Sequence, residues 1–230
     1  MQAFDSLSRN IQQYIYDKGW PSLTRIQNAA IKQVANTDHN LILSAPTASG
    51  KTEAAFIPAL NSVEDWDTGL KVLYISPLKA LINDQFQRIS ELSAYLDIPI
   101  TPWHGEVSQA QKKKVVNQPK GILLITPESI EGMLVNRPGK AQHLFKGVEW
   151  IIIDELHSFL GTERGVHLQS LLQRISQFMQ APRFIAMSAT LNKKDFGYAK
   201  AFFGSQRDTD ILVDRDKNDL LITIDYTSGE

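Results

Sequence analysis

The chain contains no cysteine, which excludes a disulfide framework and any cysteine-based metal site. No apolar run approaches the ~18 residues of a membrane-spanning helix. The first twenty residues alternate polar and apolar positions, unlike a secretory signal peptide. We therefore expect no membrane partner and a cytoplasmic location.

An excess of one charge is also missing. The 24 basic and 25 acidic side chains leave a formal net charge of −1, so overall charge does not indicate nucleic-acid binding. Any such activity must rest on local sites. With 43% hydrophobic and 21% charged residues, the 230-residue chain has the composition of a globular protein, and its length fits one large α/β domain or two small ones.

Residues 41–52 read L-I-L-S-A-P-T-A-S-G-K-T, which predicts a buried strand, a tight loop and a helix start at Gly50. Such a loop turns backbone N–H groups inward, where they and the positive end of the helix hold an anion. In the P-loop pattern G-x-x-x-x-G-K-[S/T], whose first position is Ala45 here, Lys51 reaches the β- and γ-phosphates and Thr52 places its hydroxyl on Mg²⁺. The plainer interpretation is an ordinary strand-to-helix connection with an exposed lysine. The order of strand, loop and helix favours phosphate binding.

Apolar segments that read as strands alternate with helical patterns along the chain. The predicted strands are residues 41–43, 71–76, 98–103, 122–125, 150–153 and 184–187, and two helices precede the first strand. Strands that are apolar throughout indicate a parallel sheet covered on both faces. The predicted fold class is α/β, a three-layer, mostly parallel sheet with helices on both faces. Ligands bind such sheets at the carboxyl ends of the strands.

A hydroxyl residue followed by proline ends two of these strands, at Ser76-Pro77 and Thr126-Pro127. Because serine and threonine are favoured N-caps and proline a favoured first helical residue, each pair predicts a helix that begins at its proline. A later long helix is predicted over the apolar stripe Val166, Leu168, Leu171, Leu172, Ile175, Phe178 and Met179. The short predicted helix at residues 108–116 carries Lys112, Lys113 and Lys114. Such a run is usually a solvated face, and phosphate contact is the alternative.

The strand at residues 150–153 runs directly into Asp154 and Glu155. In NTPases a carboxylate at the end of a strand near the P-loop holds Mg²⁺, and a neighbouring acidic residue orients or deprotonates the attacking water. Alone, the pair would be interpreted as the cap of the following helix. Together with the P-loop it predicts ATP hydrolysis, with Thr52 and Asp154 as the Mg²⁺ ligands.

Six segments of the chain resemble, in order, the motifs of superfamily-two DExH-box helicases. They are G-W-P-S-L-T-R-I-Q at 19–27 (Q-motif), A-P-T-A-S-G-K-T at 45–52 (motif I), S-P-L-K-A-L at 76–81 (motif Ia), T-P-E-S at 126–129 (motif Ib), D-E-L-H at 154–157 (motif II) and S-A-T at 188–190 (motif III). The whole chain resembles the first RecA-like lobe of such a helicase, a P-loop NTPase domain. The amino-acid sequences of motifs Ia and II are most similar to those of the large helicase-related (Lhr) group. Ala48 stands where many helicases have glycine, and Leu23 replaces a proline common in the DEAD-box Q-motif.

The resemblance implies a role for each motif, with ATP and Mg²⁺ as cofactors. The residues implied to bind ATP are Gln27, which would read the adenine edge, and Ala45, Pro46, Thr47, Ala48, Ser49, Gly50, Lys51 and Thr52. The implied catalytic residues are Lys51, Asp154, Glu155 and His157. Helix N-termini favour phosphate without reading bases, and the residues implied to hold the nucleic-acid backbone are Ser76, Pro77, Lys79, Thr126, Pro127, Glu128 and Arg164. The residues implied to couple the two sites are Ser188, Ala189 and Thr190.

The domain organisation follows from the same resemblance. Residues 1–36 are predicted to form an N-terminal helical segment with the Q-motif, residues 37–210 the RecA-like ATP-binding helicase domain 1, and residues 211–230 a terminal strand or a linker to a second RecA-like domain. That second lobe normally brings the arginine finger. We therefore expect the chain to be the first lobe of a longer protein or to need a partner, and to hydrolyse ATP very slowly alone.

The implied function is an ATP-dependent helicase or translocase that acts on DNA or RNA, as a single strand or at a duplex junction. DNA and 3′-to-5′ movement are the Lhr-like expectation. Two alternatives stay open: a non-catalytic nucleic-acid-binding scaffold, and a P-loop ATPase with a target other than nucleic acid. The intact motifs I and II argue against the first, and the S-P-L-K-A-L and T-P-E-S segments have no purpose in the second.

Overall fold

The structure, a computed structural model, describes residues 3–204, 206–216 and 219–223. The strands are β1 (Asn40–Ser44), β2 (Gly69–Ile75), β3 (Ile100–Trp103), β4 (Lys120–Ile125), β5 (Trp150–Ile153), β6 (Arg183–Ser188), β7 (Thr209–Asp216) and β8 (Asp219–Thr223). The α-helices are α1 (Arg9–Asp17), α2 (Arg25–Asn36), α3 (Lys51–Ser62), α4 (Lys79–Tyr95), α5 (Gln109–Asn117), α6 (Pro127–Asn136), α7 (Pro138–Phe145), α8 (Glu163–Ser176) and α9 (Phe196–Ala201). Short 3-10 helices lie at Phe4–Ser6, Leu156–Ser158 and Lys193–Asp195. None of the described helices has both the length and the apolar character needed to cross a membrane.

The strands form one sheet in the order β3-β4-β2-β5-β6-β1-β7-β8. Strands β1 to β7 pair in parallel, and β8 pairs antiparallel with β7. The predicted, mostly parallel α/β sheet is therefore confirmed. The order places β6 between β1 and β5, so the strands that carry motifs I, III and II are direct neighbours.

Helices cover both faces of the sheet. Successive side chains of a strand point to opposite faces, and accordingly Leu41 and Leu43 pack with α1, α2, α3 and α4, whereas Ile42 packs with α6, α7, α8 and α9. Both clusters consist of almost fully buried aliphatic and aromatic side chains. Burial of this kind stabilises the fold by about 25 cal/mol per Å² of apolar surface. The three-layer architecture is thus confirmed.

The chain termini contribute to the same sheet and core. Ile11 of α1 and Ile26 of α2 belong to the hydrophobic cluster that contains Leu41 of β1. At the other end, the expected terminal strand or linker at 211–230 begins inside β7, which pairs with β1. Residues 217, 218 and 224–230 of that segment lie outside the described residues.

Helix α4 does not begin where the sequence predicts. The N–H of Ser76 donates to the carbonyl oxygen of Ile125 at 3.1 Å, so Ser76 still continues the pairing of β2 with β4. The helix begins at Lys79, after Leu78, which provides no side-chain cap. The prediction of Ser76 as the N-cap and Pro77 as the first helical residue is therefore wrong.

The corresponding prediction at β4 is confirmed. Thr126 is the N-cap of α6, its Oγ1 accepts from the N–H of Ser129 at 3.4 Å, and Pro127 is the first helical residue. Helix α8 is shorter than predicted, because it ends at Ser176, before Phe178. Val166 is 67% exposed, since it lies on the opposite side of the helix from Leu168. The buried stripe of α8 includes Leu168, Leu171, Leu172 and Ile175.

Candidate functional site

Most of the predicted site residues lie along one edge of the sheet, where the parallel strands have their carboxyl ends. Neighbouring strands in the order β1, β6, β5, β2 and β4 are followed by residues 45–50, 189–190, 154–157, 76–79 and 126–128, and Ser188 is the last residue of β6. The motifs therefore lie side by side, and their order in space differs from their order in the chain. We call this row of strand ends the carboxyl edge.

The loop after β1 is fixed at its start and contains two left-handed residues. The N–H of Ala45 donates to the carbonyl oxygen of Ser188 at 3.2 Å, which joins the loop to the end of β6. Ala48 has a φ of 65° and Gly50 a φ of 85°. Left-handed residues in a turn bring successive N–H groups to one side, the arrangement that binds anions. Glycine adopts this conformation freely, whereas alanine does so at a cost of about 1 kcal/mol.

Lys51 begins α3 and folds back over this loop. Its Nζ donates to the carbonyl oxygens of Ala45 and, at 2.8 Å, of Pro46. Burial lowers the pKa of Lys51, and the carboxylates of Glu155 and Asp154 oppose that shift. The ammonium group is thus held at the mouth of the loop with neutral acceptors that a phosphate can replace.

Gln27, on α2, lies directly against the loop. It is 3% exposed, and its Nε2 donates to the carbonyl oxygen of Gly50 at 3.3 Å. Its Oε1 accepts from the N–H of Thr24, and its own N–H donates to Thr24 Oγ1, so Gln27 completes a capping box. Glycine suits position 50 because its φ is 85°, and an added Cβ would also lie 2.5 Å from Gln27 Nε2, so that the side chain would have to move. The structure therefore places the Q-motif amide against motif I; its contact with adenine stays a prediction.

Asp154, at the end of β5, is held by two hydrogen bonds. Its Oδ2 accepts from the hydroxyl of Tyr74 at 2.5 Å, and its Oδ1 accepts from the N–H of Glu155 at 2.9 Å. Burial raises the pKa of Asp154, although the bond from Tyr74 opposes the shift. Burial and the Asp154 carboxylate together raise the pKa of Tyr74 well above its usual value, so the phenol is a proton donor to Asp154. Sequence reasoning missed Tyr74, because an aromatic residue inside an apolar strand reads as core.

Glu155 and His157 connect this carboxylate to the end of β6. Glu155 has a φ of 50°, a strained conformation for a non-glycine residue. Burial and Asp154 raise the pKa of its carboxyl group. His157 Nδ1 lies 3.2 Å from Glu155 Oε2 and 3.3 Å from Ser188 Oγ, and that hydroxyl donates to the carbonyl oxygen of Thr190 at 2.8 Å. Four polar residues therefore form a continuous chain across β5 and β6.

The donor set at this edge fits a nucleotide with Mg²⁺. The Thr52 hydroxyl and the Asp154 carboxylate belong to residues that are 5% and 6% exposed, and both are oxygen ligands, which Mg²⁺ prefers. The Oγ of Ser49 is buried and has no hydrogen-bond partner among the described residues. Among those residues, no cluster of three or more His, Cys, Asp or Glu side chains forms a metal cage. Mg²⁺ is normally held by one or two carboxylates together with phosphates and water.

Arg164, in the first turn of α8, contacts both motif Ia and motif Ib at the far end of the carboxyl edge. Its Nη2 donates to the carbonyl oxygen of Pro77 at 2.5 Å and to Glu128 Oε1 at 2.6 Å. Its guanidinium also lies 5.7 Å from the centre of the Phe159 ring. Burial raises the pKa of Glu128. The hydrogen bonds from its own N–H and from Arg164 lower that pKa by more, so the net shift is downward. Arg164 therefore contacts two other predicted nucleic-acid residues, Pro77 and Glu128.

The remaining predicted nucleic-acid residues differ in their exposure to solvent. Lys79 is exposed and forms an ion pair with Glu106. Ser76 is fully buried, and its Oγ donates to the carbonyl oxygen of Leu78 at 3.4 Å. Its hydroxyl is therefore not presented to a ligand, contrary to our expectation. Thr126 is 9% exposed and serves as the helix cap described above.

Gly165 is a further residue that sequence reasoning did not single out. A Cβ at this position would lie 1.8 Å from the carbonyl oxygen of Phe159. The segment after motif II can pack against α8 only because position 165 has no side chain. The glycine in the sequence G-T-E-R-G-V-H-L was the available signal.

The chain is similar in sequence to known helicases. The DEAD/DEAH box helicase family profile matches residues 24–196. The chain is 30% identical to the ATP-dependent helicase Lhr-Core of Methanocaldococcus jannaschii in an alignment 229 residues long, and the match covers 92% of this chain and 26% of the relative. It is 33% identical to the Lhr helicase/uracil glycosylase of Escherichia coli in an alignment 214 residues long, and the match covers 82% of this chain and 13% of the relative.

Solved structures show the same likeness. The structure of Mycobacterium smegmatis helicase Lhr bound to ssDNA and AMP-PNP is 27% identical with a TM-score of 0.81, and the match covers 94% of this chain and 29% of that one. The structure of the DUF1998 helicase MrfA bound to DNA is 27% identical with a TM-score of 0.78, and the match covers 91% of this chain and 30% of that one. The chain therefore spans less than a third of the length of each of these relatives.

Proposed function

The chain belongs to the DEAD/DEAH box helicase family, and we propose that it is the ATP-binding first lobe of a nucleic-acid helicase or translocase. The predicted likeness to the first lobe of superfamily-two, Lhr-like helicases is confirmed by the relatives and structures described above. The activity, the substrate and the partners of the whole protein remain part of the proposal.

One observation carries the proposal. The P-loop after β1 and the Asp154-Glu155 pair after β5 lie on either side of β6, and the polar chain through His157 and Ser188 crosses that strand. A phosphate-binding loop, an oxygen ligand for a divalent cation and a second carboxylate are the three groups that NTP hydrolysis needs. Their placement on neighbouring strands supports a hydrolytic site, because a plain helix cap at Asp154 would not require them to meet.

Each residue would contribute a separate function. The N–H groups of the loop and the Lys51 ammonium would bind and orient the phosphates, and Gln27 would contact the adenine. Thr52 and Asp154 would hold Mg²⁺, which neutralises charge on the phosphates when it is bound. Tyr74 fixes the Asp154 carboxylate. Glu155 would orient the attacking water and accept its proton.

His157 would transmit movements of the hydrolysis site to motif III. Its imidazole contacts both Glu155 and the Ser188 hydroxyl, which in turn contacts Thr190. A movement of Glu155 would therefore reach the end of β6 through two polar contacts. Ala189, between Ser188 and Thr190, would move with them. We propose that this series of polar contacts couples ATP hydrolysis to nucleic-acid binding.

Nucleic acid would bind at the other end of the carboxyl edge. The segments that end β2 and β4 present Lys79 and the start of α6 at Thr126-Pro127, and Arg164 holds their spacing. Helix N-termini and lysines contact phosphates and read no bases. The related Lhr and MrfA structures contain ssDNA and DNA, which favours DNA as the track. Movement from 3′ to 5′ follows only from the Lhr-like resemblance.

A second RecA-like lobe, in cis or in a partner, would complete the cleft and supply an arginine finger. In this proposal residues 1–36 form the Q-motif segment, residues 37–210 the ATP-binding domain, and residues 211–230 the terminal strand or the linker to that lobe. Without it, we expect weak ATP binding and very slow hydrolysis. A helicase acts in the compartment that contains its nucleic acid, and we propose a cytoplasmic location.

Equilibrium binding of a fluorescent ATP analogue with Mg²⁺ tests the nucleotide half of the proposal. We expect the wild-type chain to bind it, Lys51→Ala to lose binding at least tenfold, and Lys113→Ala, on the exposed face of α5, to match wild type. Equal affinity in Lys51→Ala and wild type would contradict a phosphate-binding role and favour a non-catalytic scaffold.

A further inference from the structure

A polar groove of about 520 Å³ lies beyond the last motif of the carboxyl edge. It is formed by the end of β3 and by α5, α6 and α7. Its lining includes Trp103, Lys112, Ser129, Met133, Arg137 and Lys140. No residue of the groove belongs to the nucleotide site or to the six sequence motifs except Ser129, the last residue of motif Ib.

The charge of the groove has one sign. Lys112, Arg137 and Lys140 line it, and none of its described lining residues is an aspartate or a glutamate. Within the described ranges, none of these three cations forms an ion pair with a carboxylate, whereas Lys79, Arg164 and Arg174 are all paired. On a chain with a net charge of −1, unpaired cations collected in one groove indicate an anionic ligand.

The three consecutive lysines of α5 face different surroundings in the fold. Lys112 lines the groove, and its Nζ lies 5.8 Å from the centre of the Trp103 ring. Lys114 faces a separate pocket beside Pro99 and Ile100. Lys113 is exposed and lines neither pocket. The sequence alone could not distinguish these three lysines, and the structure gives only Lys112 a place in the groove.

Trp103 adds an aromatic surface next to the cations. It is half-buried at the end of β3, so its ring is fixed by the core and still lines the groove. A fixed aromatic ring beside Lys and Arg side chains is the combination on which successive bases of a single strand stack while their phosphates are neutralised. A free phosphate or an acidic peptide would need the cations but would have no use for the ring.

The groove also lies in line with the proposed track. Strand β3 is the neighbour of β4 at the end of the sheet, so Trp103 follows Thr126 along the carboxyl edge. Ser129, which donates its N–H to Thr126 Oγ1, lines the near end of the groove, and Met133 and Arg137 follow at successive turns of α6 and its end.

We propose that a single nucleic-acid strand leaves motif Ib at Thr126 and continues through this groove, where it stacks a base on Trp103 and places phosphates on Lys112, Arg137 and Lys140. The groove thereby lengthens the binding site beyond the helicase motifs. The inference rests on the proposed function, because it assumes that nucleic acid binds at the carboxyl edge.

Oligothymidylates of two lengths test the proposal, since single-strand sites of this kind hold about 4–16 nucleotides. Fluorescence anisotropy measures the affinity of wild type and of the triple variant Lys112→Ala/Arg137→Ala/Lys140→Ala for oligomers of about 6 and about 16 nucleotides. We expect the variant to lose at least tenfold in affinity for the long oligomer, and little for the short one that the motifs hold alone. Lys113→Ala is the matched control, and melting temperatures verify that all variants are folded.

Two further readouts are specific to contacts inside the groove. The slope of log affinity against log salt for the long oligomer should decrease in magnitude by about 2 in the triple variant, because each lost phosphate contact removes about 0.7. Trp103→Leu should weaken long-oligomer binding by about 5- to 150-fold, as expected for one lost stacking contact.

The possible failures are distinct. If wild type binds neither oligomer, the proposed function is overturned together with this inference. If wild type binds both and the triple variant matches it, only the groove proposal is overturned. An equal loss for the short and the long oligomer would also overturn it, because a general change of charge would then explain the result.

Discussion

The guanidinium of Arg164 donates to the carbonyl oxygen of Pro77 at 2.5 Å. The same nitrogen donates to Glu128, so one side chain on α8 fixes the segments that follow β2 and β4. In the sequence these segments are about fifty residues apart, and nothing in the printed residues pairs either of them with position 164. The contact links the segment after motif II to the surface on which nucleic acid is proposed to bind.

Arg164→Lys should therefore weaken single-strand binding several-fold while ATP affinity stays unchanged. A lysine carries one charged nitrogen and cannot reproduce the planar fork that contacts both partners. Fluorescence anisotropy with a single-stranded oligomer measures the effect. Arg174→Lys is the matched control, because Arg174 also joins α8 to α6, through Glu131, away from the carboxyl edge. Equal losses in the two variants would contradict a specific role for Arg164.

Tyr74→Phe tests the buried hydrogen bond behind Asp154. The substitution keeps the ring and leaves Asp154 Oδ2 without its donor, and a buried unsatisfied acceptor costs about 1–3 kcal/mol. We expect a loss of that size in the free energy of urea unfolding, together with weaker Mg²⁺-dependent ATP binding. Tyr95→Phe removes a hydroxyl bonded to Asp17 at the surface and should cost less than about 0.5 kcal/mol. Equal stability of Tyr74→Phe and wild type would contradict the proposed support of Asp154.

Much of this site was predictable because its strands are continuous apolar runs and its motifs lie at their ends. The strand positions follow from those runs, whereas the order β1-β6-β5, which brings the loop of Lys51 near Asp154, is seen only in the structure. Ser76 was assigned wrongly, because sequence cannot show that its N–H still pairs with β4. Tyr74 was missed, since its function comes from a hydroxyl that only the register of β2 against β5 brings to Asp154.

Gly165→Ala should destabilise the chain by about 3 kcal/mol or more, because its Cβ would lie 1.8 Å from the carbonyl oxygen of Phe159 and main chain must move. Gly197→Ala is the control. Position 197 lies in α9, and outside its own helix backbone and chain neighbours no heavy atom of the described residues lies within 4 Å of an added Cβ, so alanine there should stabilise by about 0.5–1 kcal/mol. Thermal and urea unfolding measure both. A neutral Gly165→Ala would show that the segment after motif II does not need this close contact.

Position 48 tests whether the strained loop conformation is required. Ala48→Gly removes a steric cost of about 1 kcal/mol at a φ of 65°, and the greater freedom of the unfolded chain offsets most of it. We expect unchanged stability and unchanged ATP affinity. Ala48→Val should lose about 1–3 kcal/mol of stability and weaken ATP binding, because a β-branched residue resists this conformation. Valine tolerated in both measurements would mean that the loop conformation described here is not the one that binds phosphate.

Steady-state ATP turnover by the intact protein, with and without single-stranded DNA and RNA, tests the central claim most directly. We predict turnover that at least one of the two nucleic acids stimulates and that Glu155→Gln abolishes, with DNA the stronger activator. Turnover that is indifferent to both would contradict a nucleic-acid motor and favour an ATPase with another target. Stimulated turnover that survives in Glu155→Gln would contradict the assignment of Glu155 as the residue that activates water.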